Sequence, residues 1–172
     1  MNHRRVIPLA LATLLPAISA CGDDDETGAI NSFSATLSGA EEVAPVPTSA
    51  TGTATLTVNG DQIDYTVNVT GIQNAVVSHI HIAPAGENGP VRLDLCGTGD
   101  PLPACTNGTG VLVSGSNGTV VGTPPITFDD LVAAMRAGNA YVNVHTNDGV
   151  GQPNTGPGDM ASGEIRGQIE AD

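Results

Sequence analysis

The sequence predicts an all-β domain, a Greek-key sandwich or flattened barrel of about seven to eight antiparallel strands with one short helix. Three observations carry that expectation. Apolar and polar residues alternate at the two-residue period of a half-buried strand through several runs of the chain. Glycine and proline, 22 and 12 of the 172 residues, concentrate between those runs, where turns need them. Charged residues make up only 13% of the chain, which is poor in the long side chains that helices favour.

The first twenty residues stand apart from that domain. Arg4 and Arg5 precede an apolar run over residues 6–17, broken by Pro8 and Pro16, and Ile18-Ser19-Ala20-Cys21 follows. This is the pattern of a lipoprotein signal peptide over residues 1–20, and about a dozen apolar residues are too few to span a bilayer as a helix. Its similarity to the bacterial lipobox implies cleavage before Cys21 and acylation of that cysteine. Residues 21–31 begin Cys-Gly-Asp-Asp-Asp-Glu-Thr-Gly and read as an acidic, disordered tether between lipid and domain. The expected address is therefore the bacterial cell envelope, outside the cytoplasm, in the periplasm or on the cell surface. The domain occupies residues 32–172.

Within the domain, Phe33, Ala35 and Leu37 line one face of a first strand; Ala54, Leu56 and Val58 line a second; Ile63, Tyr65, Val67 and Val69 line a third. Asn59-Gly60-Asp61 separates the second and third and signals a hairpin, because Asn and Gly tolerate positive φ. Further strands are expected near residues 75–83, 91–95, 110–114, 139–146 and 163–169. Residues 131–136 read as the helix, with Thr127 as its cap, Asp129 and Asp130 in its first turn and Gly138 after its end. Cys96 and Cys105 flank a Gly- and Pro-rich stretch. With Cys21 committed to lipid they form an even pair, and an exported protein meets oxidising conditions, so a Cys96–Cys105 disulfide is expected.

Charge excludes one class of partner. The chain has no lysine, and after the leader only Arg92, Arg136 and Arg166 oppose 18 carboxylates. Nucleic-acid binding depends on Lys and Arg neutralising phosphates, so it is not expected.

Strand parity places the chemistry-bearing side chains. In Val77-Ser78-His79-Ile80-His81-Ile82 the isoleucines belong inside and His79 and His81 outside. In Ala140-Tyr141-Val142-Asn143-Val144-His145 the valines point in and Tyr141, Asn143 and His145 out. In residues 163–169 the isoleucines point in, leaving Glu164, Arg166 and Gln168 out. Two histidines one residue apart lie about 7 Å from each other along a strand, close enough to share an ion, and His145 can supply a third ligand if its strand is adjacent. Three imidazoles suit copper or zinc. The competing reading is a hydrogen-bonded polar cluster with Arg166, Glu164 or loop backbone. The turn-rich loop over residues 83–90 is placed to fold over this face and bring Glu87 near. Asp148 and Asp159, in a second Gly- and Pro-rich loop, lack the ligand order of a calcium site. Ser78 and His79, as strand neighbours, point apart, which argues against a hydrolase arrangement.

Several separated motifs together resemble one family. They are residues 33–39 with Glu41-Glu42-Val43 and Pro45, the His79-Ile80-His81 strand running on to Gly89-Pro90-Val91, the helix, residues 140–146, and Gly163-Glu164-Ile165-Arg166-Gly167-Gln168. This set resembles the chordin-type domain, CHRD, which implies an extracellular β domain, carried in bacteria on secreted or lipid-anchored proteins. A looser likeness is to copper-zinc superoxide dismutase, a Greek-key barrel whose copper is held on its outer face partly by a His-x-His strand and by a histidine on a later strand. His79, His81 and His145 are similar to those ligands, and with no further histidine in the mature domain the likeness implies a copper-only centre.

The expected function is therefore that of a lipid-anchored extracytoplasmic binding protein, more binding module than enzyme, with His79, His81 and His145 as its site and copper or zinc as the ion. Glu87, Glu164 and Arg166 are the neighbours expected to support it. The membrane, through Cys21, and a protein or metal ion are the expected partners. A copper-only redox enzyme and an adhesion or envelope-structural module are the alternatives.

Overall fold

A computed structural model describes residues 31–99, 101–151 and 156–172; Cys21, the leader and most of the acidic tether lie outside the described residues. Nine strands are found among them: β1 (Ser32–Ser38), β2 (Thr51–Asn59), β3 (Gln62–Ile72), β4 (Ala75–Ile82), β5 (Val91–Cys96), β6 (Gly108–Asn117), β7 (Ala140–Thr146), β8 (Ile165–Gln168) and the two-residue β9 (Glu170–Ala171). One helix, α1 (Phe128–Arg136), precedes β7. No helix among the described residues is long and apolar enough to cross a membrane.

All the strands belong to one antiparallel sheet, ordered β5-β4-β7-β8-β1-β2-β3-β6, with β9 pairing β1 beside β8. The ends of that order approach each other. Leu93 of β5 bridges Val120, Val121 N–H donates to Arg92 O at 2.9 Å, and Asn117 Nδ2 donates to Asp94 O at 2.9 Å. The sheet thus curls into a nearly closed barrel in which β3, β6, β5 and β4 follow one another around the wall, a Greek-key order. Closure hides the strand edges that would otherwise pair with other chains. Arg92, itself buried, fastens this seam by donating from Nη1 to Pro124 O at 2.8 Å and Val121 O at 3.4 Å.

Alternation accounts for the core. Phe33, Leu37, Ile63, Val67, Val142 and Ile165 are all fully buried, each on the inward parity of its strand. Burying side chains of this size contributes roughly 1.5–3 kcal/mol apiece. The β2–β3 hairpin turns through Gly60 at φ 64°, with Asn59 paired to Gln62. At α1, Thr127 Oγ1 accepts from Asp130 N–H while the Asp130 carboxylate accepts from Thr127 N–H, a reciprocal cap. Gly138 leaves the helix at φ 67°.

Cys96, at the end of β5, is joined to Cys105 across a separation of nine residues. Gly97 N–H donates to Pro103 O at 2.9 Å inside the same loop. Replacing Cys105 with serine should lower stability by roughly 2–3 kcal/mol through the freed chain entropy of the unfolded state. Urea denaturation of the variant checks this, and an unchanged midpoint would contradict it.

Candidate metal centre

The site is built by register. β4 lies between β5 and β7, and β7 lies between β4 and β8. His81 pairs with Tyr141, which pairs with Gln168; His79 pairs with Asn143, which pairs with Arg166; Val77 pairs with His145. Inward-facing Ile80 sits opposite Val142, so the core fixes the parity of both strands. A slip of one residue would turn every histidine into the barrel.

This register brings the three expected histidines together. Ring centroids are 5.7 Å apart for His79 and His81, 5.2 Å for His79 and His145, and 6.0 Å for His81 and His145. One ring nitrogen from each lies within 4.8 Å of the others. The remaining bonds of the rings show which nitrogens are free. His81 Nδ1 meets Gly89 O at 2.9 Å and His145 Nδ1 meets Ala161 O at 3.0 Å. A carbonyl only accepts, so both Nδ1 atoms carry the proton and both Nε2 atoms carry a lone pair. His79 Nε2 faces Asp94 Oδ1 at 3.5 Å, which leaves its Nδ1 as the lone-pair nitrogen. Those three atoms, His79 Nδ1, His81 Nε2 and His145 Nε2, are buried and have no hydrogen-bond partner among the described residues.

Burial also sets their charge. Removal from water pulls the His79 and His81 pKa values down to about 4, with His145 adding to both effects; Arg166 adds to the one on His81, which Gly89 O partly opposes. Burial lowers His145 as well, against the pull of Ala161 O. At neutral pH the rings are therefore uncharged, the form that coordinates metals. Backbone carbonyls do hold two of the rings, as the polar-network reading expects, but that network leaves one unpaired lone pair on each imidazole.

The loop over residues 83–90 covers the face. Arg166 Nη1 donates to Glu87 O at 2.7 Å and Asn88 Oδ1 at 3.4 Å, and Nη2 to Pro84 O at 3.4 Å. Gln168 Nε2 donates to Ala83 O at 3.0 Å, and Gly89 N–H donates to the Tyr141 hydroxyl at 3.1 Å. Gly89 is required by space: a Cβ there would lie 1.9 Å from Ile82 O. Gly89→Ala should push the loop off the sheet, free His81 Nδ1 and cost roughly 2–3 kcal/mol. The tautomer of His81, read by nitrogen NMR, checks the local consequence.

The three expected neighbours have different places. Arg166 touches the loop and lies 3.4 Å over the Tyr141 ring, which also stacks on His81 at 4.7 Å between centroids and 8° between planes. Glu87 contributes its carbonyl to Arg166 and is exposed. Glu164 is buried in a separate network, accepting from Thr48 Oγ1, Thr146 Oγ1 and Gly158 N–H, each at 2.7 Å.

The family model named CHRD domain matches residues 33–153. The chain belongs to the CHRD domain family. All three histidines of the CHRD domain fall inside that span, whereas β8, which carries Arg166, follows it. No curated protein matches the chain.

Two carboxylates of the CHRD domain, Asp94 and Glu42, were not among the site residues expected from the sequence. Asp94 reaches His79 because β5 flanks β4, with His79 and Asp94 as register partners. Glu42 is only 6% exposed, and burial raises its pKa to about 7 against the opposing pull of Arg166 and the Asn143 amide. Its Oε1 and Asn143 Oδ1, both buried without partners, crowd the bare Cα of Gly163: a Cβ there would lie 2.6 Å from each. Asp94 was detectable only through strand adjacency. Nothing in Glu41-Glu42 marks the second carboxylate as the buried one.

Proposed function

We propose that this CHRD domain is a metal-binding module that holds copper or zinc through His79 Nδ1, His81 Nε2 and His145 Nε2, displayed outside the cytoplasm on a lipid at Cys21. The observation that carries this reading is the set of three buried, uncharged, partnerless imidazole nitrogens. Leaving such atoms unsatisfied is costly, and a single cation with three nitrogen ligands satisfies all of them at once. The second nitrogens of His81 and His145 are held by carbonyls, and that of His79 faces the Asp94 carboxylate at 3.5 Å; such outer partners fix tautomer and ring orientation at metal sites. The leader and its lipobox support the address, and the Cys96–Cys105 disulfide suits an oxidising compartment.

Elemental analysis of the domain from Ala29 onward, with His79→Ala, His81→Ala and His145→Ala variants, tests the reading. The expected result is one copper or zinc per chain, with affinity falling at least 100-fold in each variant. Metal content below a tenth of an equivalent after exposure to both ions would leave the adhesion or envelope-structural reading. The same His-x-His strand and later histidine on the outer face of a Greek-key barrel favour a copper-only redox enzyme as the second reading. Superoxide turnover by the copper-loaded domain decides between the two. Against turnover stands Arg166, whose Nη atoms are bonded to the loop instead of facing a substrate anion.

A further inference from the structure

Arg166 is 2% exposed, among the largest fully buried side chains of the described residues. Its hydrogen bonds go to neutral groups, the carbonyls of Glu87 and Pro84 and the amide oxygen of Asn88. Its guanidinium lies on the Tyr141 ring, and that ring is stacked on His81. A full positive charge is thus buried one aromatic ring away from a metal ligand, with no carboxylate among the described residues bonded to it.

We propose that the buried Arg166 charge biases the histidine site toward monovalent copper over divalent copper or zinc. The inference rests on the metal-binding reading above. Three neutral imidazoles bring no negative charge to offset that of the ion, so nearby fixed charges decide how the site ranks a singly against a doubly charged occupant. A unit charge about 8–10 Å away at an effective dielectric of about 20 shifts that ranking by roughly ten- to thirty-fold. Soft, low-coordinate monovalent copper is also at home among three nitrogens.

Other charges face the same region. Asp94, beside His79 on β5, acts in the opposite direction, but its side chain is 30% exposed and its field is correspondingly screened. Glu42, from the segment after β1, is the buried carboxyl that acts on Arg166; ionised, it offsets the arginine. Glu164, at the entry to β8, is engaged by Thr48, Thr146 and Gly158. Glu87, on the covering loop, is exposed.

The test measures affinities for monovalent and divalent copper by competition with chromophoric chelators at pH 8, on the detergent-purified full-length protein. The wild type is compared with Arg166→Met, Arg166→Lys and Glu42→Gln. Expected is a fall of roughly ten- to thirty-fold in the ratio of monovalent to divalent affinity for Arg166→Met. Arg166→Lys should keep the ratio within about threefold of wild type although its grip on the loop is weakened, because the charge remains. Glu42→Gln, which leaves Arg166 and the loop in place, should raise the ratio. Equal losses in the methionine and lysine variants would reduce Arg166 to a loop fastener and overturn the proposal. An unchanged ratio in Glu42→Gln would also overturn it, even if Arg166→Met failed to fold. Absence of copper binding in the wild type overturns the metal reading itself, a different result from a ratio that ignores charge.

Discussion

Glu164→Ala is expected to cost roughly 3–5 kcal/mol, the largest loss of any single polar substitution considered for this domain. The carboxylate is 1% exposed and collects three donors from three places: Thr48 before β2, Thr146 at the end of β7 and Gly158 in the loop before β8. Removing it strands those donors away from water, and Thr146 Oγ1, which also accepts from Met160 N–H, loses its anchor. Glu164→Gln separates charge from shape. Its amide keeps one acceptor but sets an N–H₂ against donors at the other position, so about half of the loss should remain. Urea denaturation at neutral pH measures both, and a loss under about 1 kcal/mol for the alanine variant would show that water replaces the carboxylate.

The second large effect depends on pH. Glu42 has its folded pKa raised from 4.5 to about 7, so between those values the folded protein holds a proton that the unfolded chain has lost. Its contribution to stability is complete below pH 4.5 and disappears as pH rises through 7. Glu42→Gln cannot ionise. In the metal-free protein the variant should match wild type near pH 4.5 and gain on it steadily toward pH 7, ending roughly 2–3 kcal/mol more stable at pH 8. The histidines slope the other way. His79 and His81 are depressed from 6.5 to about 4, so the unfolded chain takes up protons first and stability falls as pH drops from 6.5 toward 4. His81→Ala should flatten that acid limb without altering the Glu42 limb. A Glu42→Gln difference that stays constant from pH 5 to pH 8 would show that the carboxyl is not buried as described.

Much of this architecture was legible because strands announce themselves by alternation. Phe33 to Leu37, Ile63 to Val69 and Val142 to Val144 have the inward parity that their sequence pattern predicts, and the same parity put His79, His81 and His145 outside. The hairpin at Gly60, the Thr127 cap and the cysteine pair were each readable from a few neighbouring residues. What stayed hidden was long-range. Whether β7 would lie beside β4, and His79 opposite Asn143, depends on pairings between segments more than sixty residues apart, which local pattern does not specify. Closure of the barrel by Leu93 and Val120 and the short β9 belong to the same class. The burial of Glu42 and the separate network of Glu164 follow from how loops fold back on the sheet. Strand parity turns Glu164 outward but does not say which donors reach it, and Glu42, outside any strand, has no parity to read.

In the proposed metal site, His79 Nδ1, His81 Nε2 and His145 Nε2 are lone-pair nitrogens that share one ion. Nitrogen NMR of histidine-labelled protein, metal-free and then with one equivalent of zinc or monovalent copper, tests it most directly. The metal-free spectrum should show His79 protonated at Nε2 and the other two at Nδ1, and metal should shift only the three unprotonated nitrogens, together and at one equivalent. Mixed tautomers without metal, or shifts confined to one or two rings, would contradict the account.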